Sequence, residues 1–496
     1  MKKIMTMSLM MAAMMAHAQT ARKIEVKLTD DAQAKMTVYL PEKPTGRAVV
    51  GVPGGGYSVL SNGHEGHDWS NWYNGRGVAY AVVDYRLPHG DKTLPVGDVE
   101  KAIGIVRDSC KVWNVNPQDV GIMGFSAGGH LSSVVSTMAP YETRPNFSIL
   151  FYPVISMDQK VSHKWSCINF LGENGAKDPA QVKAYSTQNA VRRHHTPPAI
   201  ILTANDDQVV PFLTNGMEYY AAMRRAGNEC AVHVYPTGGH GFGIRKNYKY
   251  NTQMLSDLGN WLDNLAAPRE DAVKVACIGN SITDGHGIDM AEEYGYPAQL
   301  QNMLGAGYCV KNFGVSARTM LNKGDYPYMN ELAWQDAKAF RPDVVVIKLG
   351  TNDSKPYNWK HSSEFKQDLM EMIKALRPDL ATANGMKAAA KAKKKAKAGK
   401  ANAGEVEKPI IFICTPIPAL KGDWGISDST IVNGVIPVQQ AVAKECGLEV
   451  IDLHALFPGE KDTMLWDGIH PNAKGAKRMA TIIAKRVKEM TDVLAK

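Results

Sequence analysis

Short apolar runs that do not alternate with polar residues, separated by stretches of helical periodicity, set the architecture of this chain. In the first half they read RAVVGVPG, VAYAVVDY, DVGIMGF, FSILFYP, PAIILTA and CAVHVYP. A strand with one wet face alternates apolar and polar residues. A strand apolar on both faces must be covered on both, which calls for a parallel sheet with helices above and below. One such helix is visible where Val96, Val99, Ile103 and Val106 recur at helical spacing, with Asp98 and Glu100 expected in its first turn. Residues 22–40 alternate as a leading hairpin would. A helix ending near Leu265 is followed by the polar piece AAPREDA. The pattern then restarts with VKVACIG, VVVIKLG, IIFICTP and LEVIDLH. At 496 residues the chain is too long for one ordinary core. Two α/β domains are expected, over residues 22–266 and 272–492.

Residues 383–407 interrupt the second domain with ANGMKAAAKAKKKAKAGKANAGEVE. Between Lys387 and Lys400 lie seven lysines and no acid. Like charges one turn apart repel, and no apolar face is visible, so a solvated surface insertion is expected. This segment carries most of the formal charge of +8 and leaves the rest near neutral. No basic stripe with interleaved aromatics remains, so there is no nucleic-acid signature. At the start, Lys2 and Lys3, an apolar run, and Ala16 and Ala18 read as a signal peptide over residues 1–18. The run is too short for a permanent span and nothing later is longer. A secreted or periplasmic protein without stable membrane insertion is expected. The seven cysteines, at 110, 167, 230, 277, 309, 414 and 446, are odd in number and widely spread. Several fall inside apolar strands and none has metal-ligand spacing, so buried free thiols are expected.

The chemistry-bearing segments follow strands. DVGIMGFSAGGH holds Gly124-Phe125-Ser126-Ala127-Gly128 between a strand and a helix. A nucleophilic serine on such a tight turn tolerates no bulky flanking residues, and the helix N-terminus favours a nearby oxyanion. Partners follow in the order serine, acid, histidine. ILTANDDQVVP offers Asp207, with Asp206 as competitor, and VYPTGGHGFG offers His240. The histidine would take the serine proton and the aspartate would fix its tautomer. Upstream, VPGGGYS lets the N–H groups of Gly55 and Gly56 join that of Ala127 in an oxyanion hole. These residues resemble the α/β-hydrolase superfamily, and within it the acetylxylan and feruloyl esterases, over residues 25–265. The resemblance implies an α/β-hydrolase fold and hydrolysis of carboxylic esters. The segment SNGHEGHDWSNWY suggests a zinc helix, but His64 and His67 are three apart where that motif needs four. No metal is expected there. Trp69, Trp72 and Tyr73 read as packing under a loop rather than as sugar platforms, and His194 and His195 as structural.

The second domain opens with VKVACIGNSITDG, which puts Ser281 directly after its first strand. NFGVSART places Gly314 after the next, VVVIKLGTND places Asn352 after a third, and LWDGIHPN puts Asp467 three residues before His470. In a doubly wound sheet these strand ends converge on one rim. Ser281 can then be nucleophile, His470 base and Asp467 its orienter, with the Ser281 and Gly314 N–H groups and the Asn352 amide facing one oxyanion. Block by block this resembles the SGNH (GDSL-type) esterases over residues 272–490, with Asn280 where that family has an aspartate. The resemblance implies a flavodoxin-like three-layer α/β/α fold.

Together the two resemblances imply a serine carboxylic ester hydrolase that needs no cofactor. Its expected partner is an acylated plant polysaccharide or oligosaccharide such as xylan, acted on at two independent sites. Feruloyl esters at the first site, O-acetylated sialic acids, and one catalytic domain beside a binding module are the alternatives.

Overall fold

The computed structural model describes residues 22–397 and 409–494. The expected signal peptide, residues 1–18, and residues 398–407 of the Lys/Ala-rich insertion lie outside the described residues. Two compact units are formed, with their main boundary between Ala267 and Pro268.

The first unit is built on an eight-stranded sheet ordered β1-β2-β4-β3-β5-β6-β7-β8. The leading hairpin pairs β1 (Arg22–Lys27) with β2 (Lys35–Leu40), and β2 runs antiparallel to β4 (Ala79–Asp84). All other neighbours are parallel: β3 (Ala48–Val52), β5 (Val120–Phe125), β6 (Ser148–Phe151), β7 (Ala199–Ala204) and β8 (Cys230–Tyr235). Both faces are dry. Along β5, Val120 and Ile122 join one buried cluster while Met123 and Phe125 join the other. This is the period-two alternation of a strand covered on both sides. The helix carrying Val99, Ile103 and Val106 starts at Thr93, one turn earlier than its acids suggest. Asp98 is therefore mid-helix, where it is buried and paired with Arg86 at 2.7 Å.

The second unit has five parallel strands ordered β10-β9-β11-β12-β13. They are β9 (Val273–Gly279), β10 (Tyr308–Gly314), β11 (Val344–Lys348), β12 (Ile410–Cys414) and β13 (Glu449–Ile451). Ala276 and Ile278 of β9 face one core, and Val275 and Cys277 the other. The chain steps from β9 to β10 on one side and from β11 onward on the other. That reversal leaves a crevice at the carboxyl ends of β9 and its neighbours.

The insertion departs from expectation. Its first part forms a helix, Ala383–Lys397, and Met386 and Ala389 pack against the core of the second unit. These two residues, three apart, supply the narrow apolar seam that the lysine content masks. Gly447 permits the approach, since a Cβ there would lie 2.6 Å from the Ala390 nitrogen. All seven cysteines are free, five of them buried. No described helix is long and apolar enough to cross a membrane.

Candidate active sites

In the first unit, parallel register pairs Val52 with Gly124, so β3 and β5 end side by side. Ser126 stands just past β5 at φ 53°, ψ −118°, before a helix that begins at Ala127. Few non-glycine residues adopt that conformation, and it is a strained one for a serine. The flanking glycines have steric reasons. A Cβ on Gly124 would lie 2.2 Å from the Gly128 oxygen, and one on Gly128 would lie 2.1 Å from the Val52 oxygen.

Asp207 follows β7 and His240 follows β8. Their side chains close a chain of hydrogen bonds: Asp207 Oδ2 to His240 Nδ1 at 2.7 Å, and His240 Nε2 to Ser126 Oγ at 2.8 Å. The other Asp207 oxygen accepts the N–H groups of Val209 and Val210, both at 2.9 Å. The competitor, Asp206, instead accepts the Gly239 N–H at 2.7 Å and so braces the histidine loop. Beside Ser126, Gly55 sits at φ 123° and Gly56 at φ 63°, both left-handed. A Cβ on Gly55 would also strike the Val59 oxygen at 2.2 Å. The glycine triplet is thus a fixed turn, with the Gly56 carbonyl tied down by Asn169 Nδ2 at 2.8 Å.

Three residues escaped the sequence reading. Glu65 is 3% exposed. One of its oxygens accepts the Gly54 N–H at 3.0 Å, and the other accepts the Tyr152 hydroxyl at 2.8 Å. Tyr152 in turn accepts the Gly243 N–H at 3.0 Å and stacks edge-on to His240, with ring centroids 4.8 Å apart. A single carboxylate therefore links the glycine turn to the histidine loop. His163 is the third. A Cβ on Gly56 would lie 3.4 Å from its Cε1. Burial, and then the charge of His240, hold its pKa below the usual histidine value.

The aromatic residues and His67 of the SNGHEGHDWSNWY segment pack. Trp69 and Tyr73 are fully buried, the Trp69 indole donates to the His64 carbonyl at 3.0 Å, and His67 Nδ1 meets the Tyr39 hydroxyl at 3.0 Å.

In the second unit, Asn280 follows β9 and caps the short helix Ser281–Asp284, its Oδ1 accepting the Ile282 N–H at 3.2 Å. The spacing of Asp467 and His470 has a local cause. Asp467 Oδ1 accepts the N–H groups of Ile469 and His470 at 2.8 and 2.9 Å, folding the turn. That turn returns the His470 ring to the same carboxylate, with Nδ1 2.8 Å from Oδ2, and leaves Nε2 2.7 Å from Ser281 Oγ. Burial opposes ionisation of Asp467, but these hydrogen bonds outweigh it and hold its pKa below the usual carboxylate range. Burial likewise lowers the pKa of His470. Asp467 opposes that shift, and the nearby charges of His286 and Lys348 reinforce it.

The donor set needs one correction. The Gly314 N–H is already engaged by Asn312 Oδ1 at 2.8 Å, so it is not free to meet an oxyanion. Three residues on, Ala317 stands at φ 69°, and its N–H has no hydrogen-bond partner among the described residues. Asn352 Nδ2 gives one hydrogen to the adjacent Arg318 carbonyl at 3.1 Å, which leaves its second for a ligand. Buried Asp353 fastens the same loop by accepting the N–H groups of Met320 and Leu321 at 3.0 and 2.8 Å. Burial raises its carboxyl to about 6. Below the rim, Lys348 is fully buried, donates to Thr351 Oγ1 at 3.0 Å, and is pushed down to about 7 by burial.

An α/β-hydrolase unit followed by an SGNH unit, each with serine, histidine and aspartate in hydrogen-bonded line, defines a class of carboxylic ester hydrolases. Residues 49–244 match the alpha/beta hydrolase fold family, and residues 277–478 the GDSL-like lipase/acylhydrolase family. The chain belongs to the family of the acetylxylan esterase of Xylanibacter ruminicola. It is 66% identical to that protein over 98% of this chain and all of the other. A second relative, endo-1,4-beta-xylanase B of Butyrivibrio fibrisolvens, is 28% identical over 39% of this chain and 32% of its own length. Among solved structures, an acetyl ester-xyloside bifunctional hydrolase from Caldicellulosiruptor lactoaceticus matches 50% of this chain and 98% of its own, with 28% identity and a TM-score of 0.45.

Proposed function

We propose that both units are active and that the protein removes acetyl groups from xylan outside the cytoplasm. The observation that carries this reading is the presence of two closed Asp–His–Ser lines, one at each sheet rim. The name of the Xylanibacter ruminicola relative supports acetyl and xylan. The basic start and apolar run before Ala18 support export.

At each site the histidine Nε2 takes the serine proton as the serine oxygen attacks the ester carbonyl. Charge develops on the carbonyl oxygen. In the first unit it meets the N–H groups of Gly55, Gly56 and Ala127. In the second it meets those of Ser281 and Ala317 and the Asn352 amide. Collapse expels the sugar alcohol, which takes the proton from Nε2 and leaves an acetyl-serine. Water then gives its proton to Nε2, attacks the acetyl carbon, and releases acetate while the serine regains a proton.

Product analysis on a panel of native esterified polysaccharides tests the substrate. Free acetate from acetylated xylan, without free ferulate, is the expected outcome. Ferulate in place of acetate would overturn it.

A further inference from the structure

The second site carries two exposed rings that neither the triad nor the oxyanion donors use. Trp424 is 52% exposed, yet its ring centroid lies 5.5 Å from that of His470. The exposed ring of His286 lies 4.8 Å from His470 and 6.5 Å from Trp424. Trp424 sits at φ 54° and is followed by Gly425 at φ 76°. A bulky residue in the left-handed region is strained, and such strain persists only where the surroundings impose it. The imposing contacts are present. Leu420 donates its N–H to the Gly468 carbonyl at 2.8 Å, and Lys421 Nζ donates to the Trp466 carbonyl. Both acceptors belong to the turn that carries Asp467 and His470, so the Trp424 loop is fastened to the catalytic turn.

Ester chemistry says which half of the substrate meets these rings. His470 Nε2 must return its proton to the departing alcohol oxygen, which therefore comes within hydrogen-bond reach of that ring. Groups bordering His470 border the alcohol and not the acyl part. A pyranose presents a face of C–H groups that packs on an indole, and hydroxyls at its edge that a histidine nitrogen can hydrogen-bond. The ring nitrogens of His286 make no hydrogen bond among the described residues.

We infer that Trp424 and His286 form a leaving-alcohol subsite in the second unit that takes the pyranose ring bearing the ester. The inference rests on the reading of that unit as a carbohydrate esterase. It makes the site selective for sugar esters over small alkyl esters.

The test uses the full chain with Ser126→Ala, so that only the second site works. Acetylated xylo-oligosaccharides are compared with ethyl acetate, which has no ring to stack. Trp424→Ala should lower kcat/KM on the oligosaccharides about 10-fold, chiefly through KM, and leave ethyl acetate unchanged. Trp424→Phe should restore most of the loss, and His286→Ala, compared at a pH above the acidic limb where a changed His470 pKa has no effect, should show the same selectivity. An equal fall on both substrates, or no fall on either, overturns the inference and leaves the esterase reading standing. A parent that cleaves ethyl acetate but no acetylated sugar overturns both.

Discussion

Replacing Glu65 probes how the first site is held together. Its buried carboxylate accepts the Gly54 N–H at 3.0 Å and the Tyr152 hydroxyl at 2.8 Å. Glu65→Ala would strand both donors in the interior at about 1–3 kcal/mol each. A cost of about 2–6 kcal/mol is a large share of a typical domain's stability, so that variant risks unfolding. Glu65→Gln is the informative change. Its amide oxygen can serve one donor only, and its NH2 must face the other. Facing Tyr152, the NH2 can donate to the hydroxyl oxygen, but the Tyr152 O–H then loses its acceptor, at about 1–3 kcal/mol, which the fold should survive. The catalytic effect comes through geometry, because Gly54 precedes Gly55 and Gly56, the proposed oxyanion donors, and the Tyr152 ring packs edge-on to His240. Displacing one oxyanion donor costs about 100-fold or more, so a partial displacement should lower kcat about 10-fold. The assay is hydrolysis of p-nitrophenyl acetate in a Ser281→Ala background, alongside thermal unfolding. The expected result is a fall in kcat with KM nearly constant. An unchanged kcat in a folded Glu65→Gln protein would refute the linkage.

Other expectations follow from the same geometry. In the Ser281→Ala background, Asp207→Ala should lower kcat about 10,000-fold by freeing the wrong histidine tautomer, whereas Asp206→Ala should act only by loosening the Gly239 loop; steady-state rates on p-nitrophenyl acetate separate the two. In the Ser126→Ala background, Asn352→Ala should reduce kcat about 100-fold on the same ester, since it deletes an oxyanion donor. The second site's pH profile should show His470. Its depressed pKa keeps Nε2 neutral, and so able to accept a proton, down to a pH below the ordinary histidine value of about 6.5. Lys348→Met removes a cation that disfavours imidazolium, so the His470 pKa should rise and the acidic limb of kcat/KM should move to higher pH. A limb that stays put or moves down would contradict the assignment.

Much of both sites could be read from the sequence because the chemistry is local. A serine elbow needs glycines two positions either side, and one aspartate can both fold a turn and orient a histidine three residues on. Such demands leave marks within a few letters. What escaped depends on long separations or on backbone conformation. Glu65 acts on Tyr152, 87 positions away, from inside a loop of glycine, asparagine and histidine that looks like ordinary surface. Gly314 looked like a free donor because nothing in NFGVSART shows that Asn312 turns back onto its N–H. Ala317 carries no side-chain signal for its left-handed backbone. The helix at Ala383–Lys397 was masked because two apolar residues, Met386 and Ala389, suffice to seat it among many lysines. Trp424 lies on a loop whose approach to His470 depends on hydrogen bonds to another turn.

The central claim is that one chain holds two working serine sites. Acetate release from acetylated xylan by the parent, Ser126→Ala, Ser281→Ala and the double variant tests it most directly. Each single variant should retain a distinct part of the activity and the double variant none. A single variant that abolishes all release, or one that changes nothing, would contradict the account.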